Sequence, residues 1–259
     1  MRFQLVLDVG KRSVLPIDYQ YSVASWVYSV LDKGNSEFSK WLHDHGYGEG
    51  VRKFKLFCFS RFFFPKFEVM GDRLKILSDF VSLQISFAMD KSVEPFVYGL
   101  FEKNHFQIAD SQSTTDFSIR SIECLPSIVF QSTERFKLLS PLCLSVLNES
   151  RNTATYLSPD DPNYGTYLKS NLLNKYQSVH TDFDSTNIPF SFRILSPFKS
   201  SLNSIKKGNA QETRIRGYLF DFEISTLPEL IQFSYQTGFG EKNSMGFGFV
   251  ERKKSWKKK

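Results

Sequence analysis

The first half of the chain alternates between strand-like and helix-like patterns of apolar residues. The opening segment RFQLVLDV, residues 2–9, has apolar residues at alternating positions and predicts a strand. After Pro16, apolar residues recur at helical spacing. This predicts a helix over residues 17–31 that stops at Gly34, and a shorter helix from Ser36 to a C-cap at Gly46.

Four strand-like runs come next: KLFCFSRFFF, FEVM, RLKIL and VSLQISFAM. The segment Met70–Asp72 predicts a tight hairpin turn between the second run and the third. A helix over residues 91–103 and a strand over residues 117–130 complete the predicted elements of this half. The order is β-α-β-β-α-β, which is typical of a ferredoxin-like domain.

The second half repeats this order less clearly. Its patterns predict strands over residues 136–146, 190–195, 213–224 and 247–251, and helices over residues 164–177 and 228–235. The link between the halves is expected at residues 131–134. We therefore expect an α+β fold of tandem ferredoxin-like (RRM-like) domains at residues 1–131 and 134–251, with a basic tail at residues 252–259.

Composition and charge narrow the classes of function. The chain has 259 residues and a formal net charge of +6, which suggests two domains and a polyanionic partner, although a membrane surface attracts the same charge. No apolar run is long enough to span a bilayer and residues 1–9 do not resemble a signal peptide, so we expect a cytoplasmic protein. Cys58, Cys124 and Cys143 lack the spacing of metal ligands or of a disulfide framework, and we expect buried thiols.

The most specific string in the chain is the glycine-rich segment GFGEKNSMGFGF, residues 238–249. Its glycines allow close approach of the backbone to a ligand, and its polar side chains supply donors for phosphate oxygens. The glycines are Gly238, Gly240, Gly246 and Gly248, and the donors are Lys242, Asn243 and Ser244. The segment follows a predicted helix and precedes a predicted strand, which argues against a P-loop or Rossmann site. A structural glycine turn before an edge strand is the alternative.

This segment resembles the glycine-rich signature of the Cas-six family, the CRISPR-associated endoribonucleases of the RAMP superfamily that mature CRISPR RNA. The resemblance extends to the opening MRFQLVLDV, to YSVASWVYSVL, and to WLHDHGY followed by KFKLFCFS. It is vague between residues 140 and 230. It implies tandem ferredoxin-like folds, in agreement with the order of elements predicted above.

The resemblance also implies an activity. Members cut CRISPR repeat RNA (precursor crRNA) without a metal or cofactor, leaving a 2′,3′-cyclic phosphate and a 5′-hydroxyl. The alternative is a non-catalytic RNA-binding subunit of a CRISPR effector complex, because superfamily relatives play that part with the same fold. Whether the protein is a monomer or a homodimer, and whether other effector-complex proteins bind it, stays open.

His43 is the candidate for proton transfer. The apolar stripe of the second predicted helix is Phe38, Trp41, Leu42 and His45. His43 falls outside this stripe and lies in the last turn, where the helix dipole favours an imidazolium, the form that a general acid needs. His45 fits a core-edge or capping residue, and an ordinary surface histidine is the alternative for His43. The resemblance favours His43, because relatives place the catalytic histidine in an LH pair.

Tyr28 and Lys55 are the candidate partners of His43. Tyr28 lies between the apolar arc and the polar strip of the first predicted helix, so its ring can pack while its hydroxyl stays free. The resemblance implies a role as base or orienter, although an unperturbed tyrosine is a poor base and a core tyrosine is the alternative. Lys55 opens the KLFCFS strand and matches a lysine that the family uses near the scissile phosphate. Arg52 and Lys53 compete for that role.

Further cations are candidates for gripping the RNA backbone. They lie in and around a Ser/Asn-rich loop and are Lys199, Lys206, Lys207, Arg214 and Arg216. Arg214 and Arg216 are two positions apart, so a strand places both on one face. A solvated loop with scattered charge is the alternative. The tail 252–259 carries six basic residues and Trp256, which suits nucleic acid or a solubilising end.

Overall fold

A computed structural model of the chain describes residues 1–11, 13–48, 53–148, 153–205 and 212–253. Two antiparallel sheets, one in each half of the chain, carry separate apolar cores. The predicted α+β class and the tandem ferredoxin-like order of elements are confirmed.

The first half is built on a five-stranded sheet in the order β3-β6-β1-β8-β7, with a small additional sheet in the order β2-β5-β4. The strands are β1 (Arg2–Val9), β2 (Val14–Pro16), β3 (Phe57–Phe59), β4 (Phe67–Met70), β5 (Arg73–Ile76), β6 (Phe80–Phe87), β7 (His105–Ala109) and β8 (Thr114–Cys124), and the helices are α1 (Gln20–Gly34), α2 (Ser36–Asp44) and α3 (Asp90–Glu102). The sequence patterns did not predict β7. The predicted ten-residue strand KLFCFSRFFF is reduced to the three residues of β3.

Helix α1 is held in the core of the first half by fully buried residues at helical spacing. These are Val23, Val27, Val30 and Leu31. Helix α2 follows at once, because the Asn35 side chain accepts a hydrogen bond from the backbone N–H of Phe38 and so caps the new helix. This tight connection brings the end of α2 close to the middle of α1.

The second half has a four-stranded sheet in the order β12-β15-β9-β16 and two further hairpins, β10–β11 and β13–β14. The strands are β9 (Thr133–Leu138), β10 (Ser145–Asn148), β11 (Thr153–Tyr156), β12 (Ser191–Ile194), β13 (Lys199–Ile205), β14 (Thr213–Leu219), β15 (Asp221–Ser225) and β16 (Val250–Arg252), and the helices are α4 (Tyr164–Gln177) and α5 (Pro228–Thr237). The predicted single strands 136–146 and 213–224 were wrong. Each is divided between two strands that pair with different partners.

Arg2 joins the two halves. Its side chain reaches from the central strand β1 into the second half, where its guanidinium donates hydrogen bonds of 2.7 Å to the carbonyl oxygens of Val250 and Tyr235. The guanidinium carbon also lies 3.5 Å from the centre of the Tyr235 ring. Arg2 is only 6% exposed, and burial lowers its pKa to about 10, so it remains charged at neutral pH.

Two predictions about general properties can be compared with the structure. No helix among the described residues is both long and apolar enough to cross a membrane. Cys58 and Cys143 are buried as expected, but the expectation was wrong for Cys124, which is exposed. Strand β7 pairs with residues 114–118 of β8, so among the described residues the end of β8 that carries Cys124 has no paired strand on that side.

Candidate functional site

The three side chains predicted to be catalytic meet at the C-terminal end of α2. The ring centres of Tyr28 and His43 lie 5.4 Å apart, with the ring planes at 81°, so the two rings meet edge to face. The Lys55 ammonium donates hydrogen bonds of 2.5 and 2.6 Å to the carbonyl oxygens of Leu42 and His43. Residues from α1, from α2 and from the segment before β3 therefore form one cluster.

His43 is the exposed member of this cluster. Its side chain is 71% exposed, and its Nδ1 lies 2.9 Å from Oδ1 of Asp44. Hydrogen bonding to His43 lowers the pKa of Asp44. Among the described residues Nε2 has no hydrogen-bond partner, so this nitrogen is available to a substrate. Of the two alternatives for His45, the structure shows capping: its backbone N–H donates to Trp41 at the end of α2, and its side chain is exposed rather than part of the core stripe.

Tyr28 is half-buried, as its border position predicted. Its ring packs against Phe57, with ring centres 5.6 Å apart. Burial raises the pKa of Tyr28 to about 12, although a hydrogen bond with the Ser244 side chain acts in the opposite direction. The hydroxyl is therefore neutral at physiological pH. This favours an orienting or donating role over a role as base.

Lys55 lies just before β3 and is half-buried. Burial lowers the pKa of Lys55, opposed by the negative charge of Asp44. Two of its three ammonium protons are bound by carbonyl oxygens at the end of α2, which leaves the third for an anion. Gly46 makes this approach possible, because a Cβ there would lie 2.5 Å from the Phe54 carbonyl oxygen and 3.2 Å from the Lys55 ammonium. The competing Arg52 lies outside the described residues, and Lys53 is exposed.

The glycine-rich segment forms a compact loop between α5 and β16, packed between the two halves. A Cβ at Gly248 would lie 1.8 Å from the Phe239 carbonyl oxygen, so the space beside this glycine is filled by the protein itself. The Asn243 amide donates hydrogen bonds of 3.1 and 2.9 Å to the carbonyl oxygens of Phe239 and Phe247. The glycines and Asn243 thus shape the loop, and RNA contact by them stays a prediction.

Two donors of the loop face outward. Lys242 is exposed, and its ammonium has no hydrogen bond or ion pair within the part of the chain that the structure describes. Ser244 is half-buried and bonds to the Tyr28 hydroxyl. These two residues, rather than the glycines, give the loop its polar surface toward the cluster.

Lys175 of α4 is part of the same region but was not predicted. It is 2% exposed, and its ammonium donates hydrogen bonds to Gly238 O at 2.8 Å, Gly240 O at 2.9 Å and Asn243 Oδ1 at 2.6 Å. Burial lowers the pKa of Lys175 to about 7. One signal in the sequence was available, because Lys175 lies seven residues after the buried Leu168, on the apolar stripe of α4.

The predicted basic hairpin is formed by β13 and β14. Arg214 and Arg216 are exposed on one face, as predicted. Lys199 pairs with Leu219, an odd number of positions from both arginines, so it lies on the opposite face of the hairpin. RNA contact by these residues stays a prediction. The other side of the hairpin packs Ile215 against the glycine-rich loop. Lys206 and Lys207 lie outside the described residues.

The start of the basic tail is structural rather than free. Arg252 forms an ion pair with Glu134, with Nη2 2.6 Å from Oε1, and Lys253 forms one with Asp221 at the same distance. Both pairs tie β16 and its end to the rest of the second half. Residues 254–259 lie outside the described residues.

A cleft of about 680 Å³ opens beside the cluster. Its walls come from the segment before β3, from β10, from α4 and from the glycine-rich loop, and the four lysines in them are Lys53, Lys55, Lys175 and Lys242. The carboxylate in the walls, Glu241, accepts hydrogen bonds from the backbone N–H and hydroxyl of Ser145. The cleft is therefore suited to a polyanion. In the described part of the chain, no three His, Cys, Asp or Glu side chains are grouped to hold a metal ion.

Comparison with known proteins places the chain in a family. The models for CRISPR-associated protein Cas6, N-terminal, and CRISPR associated protein Cas6, C-terminal, match residues 14–123 and 125–252. CRISPR-associated endoribonuclease Cas6 1 of Methanocaldococcus jannaschii is 30% identical over 252 residues, which cover 96% of this chain and 92% of that protein.

Solved structures of similar proteins support the same family. One, from the characterization of a Cas6-related gene of Pyrococcus furiosus, has a TM-score of 0.84 and 26% identity, and the match covers 98% of this chain and 99% of that one. Another, a CRISPR associated protein Cas6, has a TM-score of 0.77 and 28% identity, with the same coverage. The chain therefore belongs to the Cas6 family of CRISPR-associated proteins, the Cas-six family that its motifs resemble.

Proposed function

We propose that this protein is an endoribonuclease that cleaves CRISPR repeat RNA into mature crRNA without a metal ion. The observation that carries the proposal is the meeting of Tyr28, His43 and Lys55 at the exposed end of α2, beside a cleft lined by lysines. The relative from Methanocaldococcus jannaschii carries the name of an endoribonuclease, which supports the same activity here.

The proposed reaction is an internal transfer at phosphorus. The ribose 2′-oxygen forms a bond to the adjacent phosphorus while the bond from phosphorus to the 5′-oxygen breaks. The products are a 2′,3′-cyclic phosphate and a 5′-hydroxyl. A base must remove the 2′-hydroxyl proton, and an acid must protonate the leaving 5′-oxygen. His43 is assigned to proton transfer because its Nε2 is exposed and unpartnered within the described structure.

Tyr28 and Lys55 support this step in different ways. With a pKa raised to about 12, the Tyr28 hydroxyl keeps its proton and donates a hydrogen bond that orients the reacting oxygen. Lys55 contributes a positive charge fixed by two carbonyl oxygens, which stabilises the extra negative charge on phosphorus oxygens in the transition state.

The RNA is assigned to the surface between the two ferredoxin-like domains, residues 1–131 and 134–251. Lys53, Lys242 and Ser244 border the cleft beside the cluster. Arg214 and Arg216 offer a second basic surface, on the face of the β13–β14 hairpin that points away from the glycine-rich loop. Contacts of this kind hold the phosphate backbone without reading its sequence.

The test is cleavage of a labelled RNA carrying the CRISPR repeat of the source genome, in buffer with EDTA. Wild type and His45→Ala are expected to cut at one position, because the His45 side chain is exposed and caps only through its backbone. His43→Ala is expected to lose cutting and retain binding. A matching RNA with 2′-deoxyribose at the cleaved nucleotide should stay intact, and the products should carry a cyclic phosphate.

Three results would contradict parts of the proposal. Undiminished cutting by His43→Ala would remove His43 from the mechanism. Cutting that stops in EDTA and returns with a divalent cation would show dependence on metal. Tight binding without cutting by wild type would instead identify the protein as an RNA-binding subunit of an effector complex.

A further inference from the structure

One face of α4 lines the cleft and has no part in the reaction proposed above. Tyr167, Ser170, Asn171 and Lys175 all lie in the cleft wall. Their spacing of three, four and eight residues from Tyr167 places them on one side of a helix. Lys175 is occupied by the glycine-rich loop, so the part of this face that is open to a ligand is formed by Tyr167, Ser170 and Asn171.

This face combines an aromatic ring with open apolar surface. Tyr167 is 42% exposed, and Leu147 of β10, in another wall of the same cleft, is 65% exposed. Nucleobases stack on aromatic rings in single-stranded RNA complexes, and this contact tolerates many sequences because every base has a π-face. An exposed ring inside a cleft bordered by lysines suits a nucleotide whose base stacks on the ring and whose phosphates bind those lysines.

Asn171 adds a group that can form hydrogen bonds with a base. Its Oδ1 is buried and has no hydrogen-bond partner among the described residues. Buried polar atoms are usually paired, so an acceptor without a donor points to a ligand that would supply one. An amide beside an aromatic ring is the combination that holds a base by its edge and its face together.

Lysines on two sides of the cleft are positioned to bind the phosphate backbone of an RNA strand. Lys53 and Lys242 are exposed at its border, while Lys55 and Ser244 connect it to His43 and Tyr28. A nucleotide held in the cleft therefore lies next to the phosphate that the cluster would cleave. The Glu241 carboxylate in the same lining accepts two hydrogen bonds from Ser145, and the four lysines of the lining leave the cleft with a net positive charge.

We propose that Tyr167 and Asn171 form a subsite for one unstacked base of the repeat RNA, in a nucleotide flanking the scissile phosphate. This proposal rests on the proposed function and names how the same site selects its substrate. Tyr167 binds the face of the base, and Asn171 binds an edge that carries a donor, such as an exocyclic amino group.

The experiment uses the full chain and the repeat RNA with 2′-deoxyribose at the cleaved nucleotide, so that binding is measured without cleavage. The fluorescent base 2-aminopurine is placed at successive positions around that nucleotide. Wild type is expected to change its fluorescence strongly at one flanking position. Tyr167→Ala should lose this change and raise the Kd about tenfold, the size expected for one stacked base.

Matched variants distinguish a loss of base stacking from a loss of the folded structure. Tyr167→Phe keeps the ring and should behave as wild type. Tyr98→Ala removes an exposed tyrosine of α3, outside the cleft, and should also behave as wild type. With unmodified repeat RNA at subsaturating concentration, Tyr167→Ala should lower the cleavage rate about tenfold, in step with its Kd, whereas Tyr167→Phe should not. Asn171→Ala should lose discrimination against a repeat whose flanking base lacks the exocyclic amino group.

Wild-type Kd values for Tyr167→Ala and Asn171→Ala, with no fluorescence change at any flanking position, would overturn the subsite. Failure of the proposed function has a different signature. In that case wild type does not cut the unmodified repeat, whereas a fluorescence change that depends on Tyr167 would still establish the subsite.

Discussion

Replacement of Lys175 by methionine tests the buried ammonium under the glycine-rich loop. The substitution keeps an unbranched side chain of similar length but removes the charge and three hydrogen bonds to the loop. Its effect on absolute stability combines two opposing contributions. Each buried acceptor that loses its donor costs about 1–3 kcal/mol, while removal of a buried charge at neutral pH returns about 4 kcal/mol. The pH dependence of stability is therefore the sharper measurement.

The sign follows from the two pKa values. Lys175 has an ordinary pKa of 10.5 in the unfolded chain, and burial lowers it to about 7 in the folded protein. Between these values the unfolded chain holds a proton that the folded protein has released, so the free energy of unfolding rises with pH. The penalty of the buried charge is fully present below about pH 7. From about pH 7 to about pH 9 the wild type should gain about 2 kcal/mol relative to Lys175→Met.

The assay is urea unfolding followed by circular dichroism at several pH values in this range. The other titrating groups are shared by both proteins, so they cancel in the difference between the two curves. Lys169→Met is the matched control. Lys169 lies on the same helix and is only half-buried, and within the described structure it donates one hydrogen bond, to Ile188. Its variant should follow the pH dependence of the wild type. Parallel curves for wild type and Lys175→Met would refute a lowered pKa at Lys175.

Two further substitutions, each with a control variant, test the glycine-rich loop and the contact of Arg2 with the second half by urea unfolding. Gly248→Ala places a Cβ 1.8 Å from the Phe239 carbonyl oxygen at a φ of +77°, whereas Gly71→Ala meets no atom within 4 Å at a φ of +61°. The first should cost about 3 kcal/mol or more and the second about 1 kcal/mol, and equal losses would contradict the packing argument. Arg2→Met leaves the carbonyl oxygens of Val250 and Tyr235 without their donors and should cost about 3 kcal/mol. Arg120→Met breaks the exposed ion pair of Arg120 with Asp8 and should cost less than about 1 kcal/mol. A smaller loss of stability for Arg2→Met than for Arg120→Met would show that the contact between the two halves does not depend on the hydrogen bonds of Arg2.

The order of elements was predictable because its strongest patterns lie in central strands. Strands β1 and β6 have apolar residues at alternating positions, and they are neighbours in the sheet, buried on their inward face. The division at Phe220 was not predictable. The apolar alternation continues across it, and only the partners differ: β14 pairs with β13, while β15 pairs with β9 and β12. Pairing partners are distant in sequence and leave no local signal.

The candidate site was likewise predictable from the sequence only in part. The position of His43 outside the apolar stripe of α2 could be deduced from helical spacing, and its ring is exposed as expected. The role of Lys175 could not, because it depends on the loop folding back onto α4, 63 residues away in sequence from Gly238. The glycines illustrate a further limit. Sequence identifies positions where the backbone needs space beside it, but at Gly248 the occupant of that space is another part of the chain.

The position of the glycine-rich loop has a consequence for biosynthesis. Tyr28, His43 and Lys55 emerge from the ribosome early, whereas Ser244, which bonds to the Tyr28 hydroxyl, emerges about 190 residues after Lys55. Arg2 likewise waits for Val250, a partner 248 residues later. A nascent first domain therefore carries the three residues without their supporting loop. Products truncated before residue 238 lack the loop entirely, so they carry the three residues without the contact of Ser244 to Tyr28.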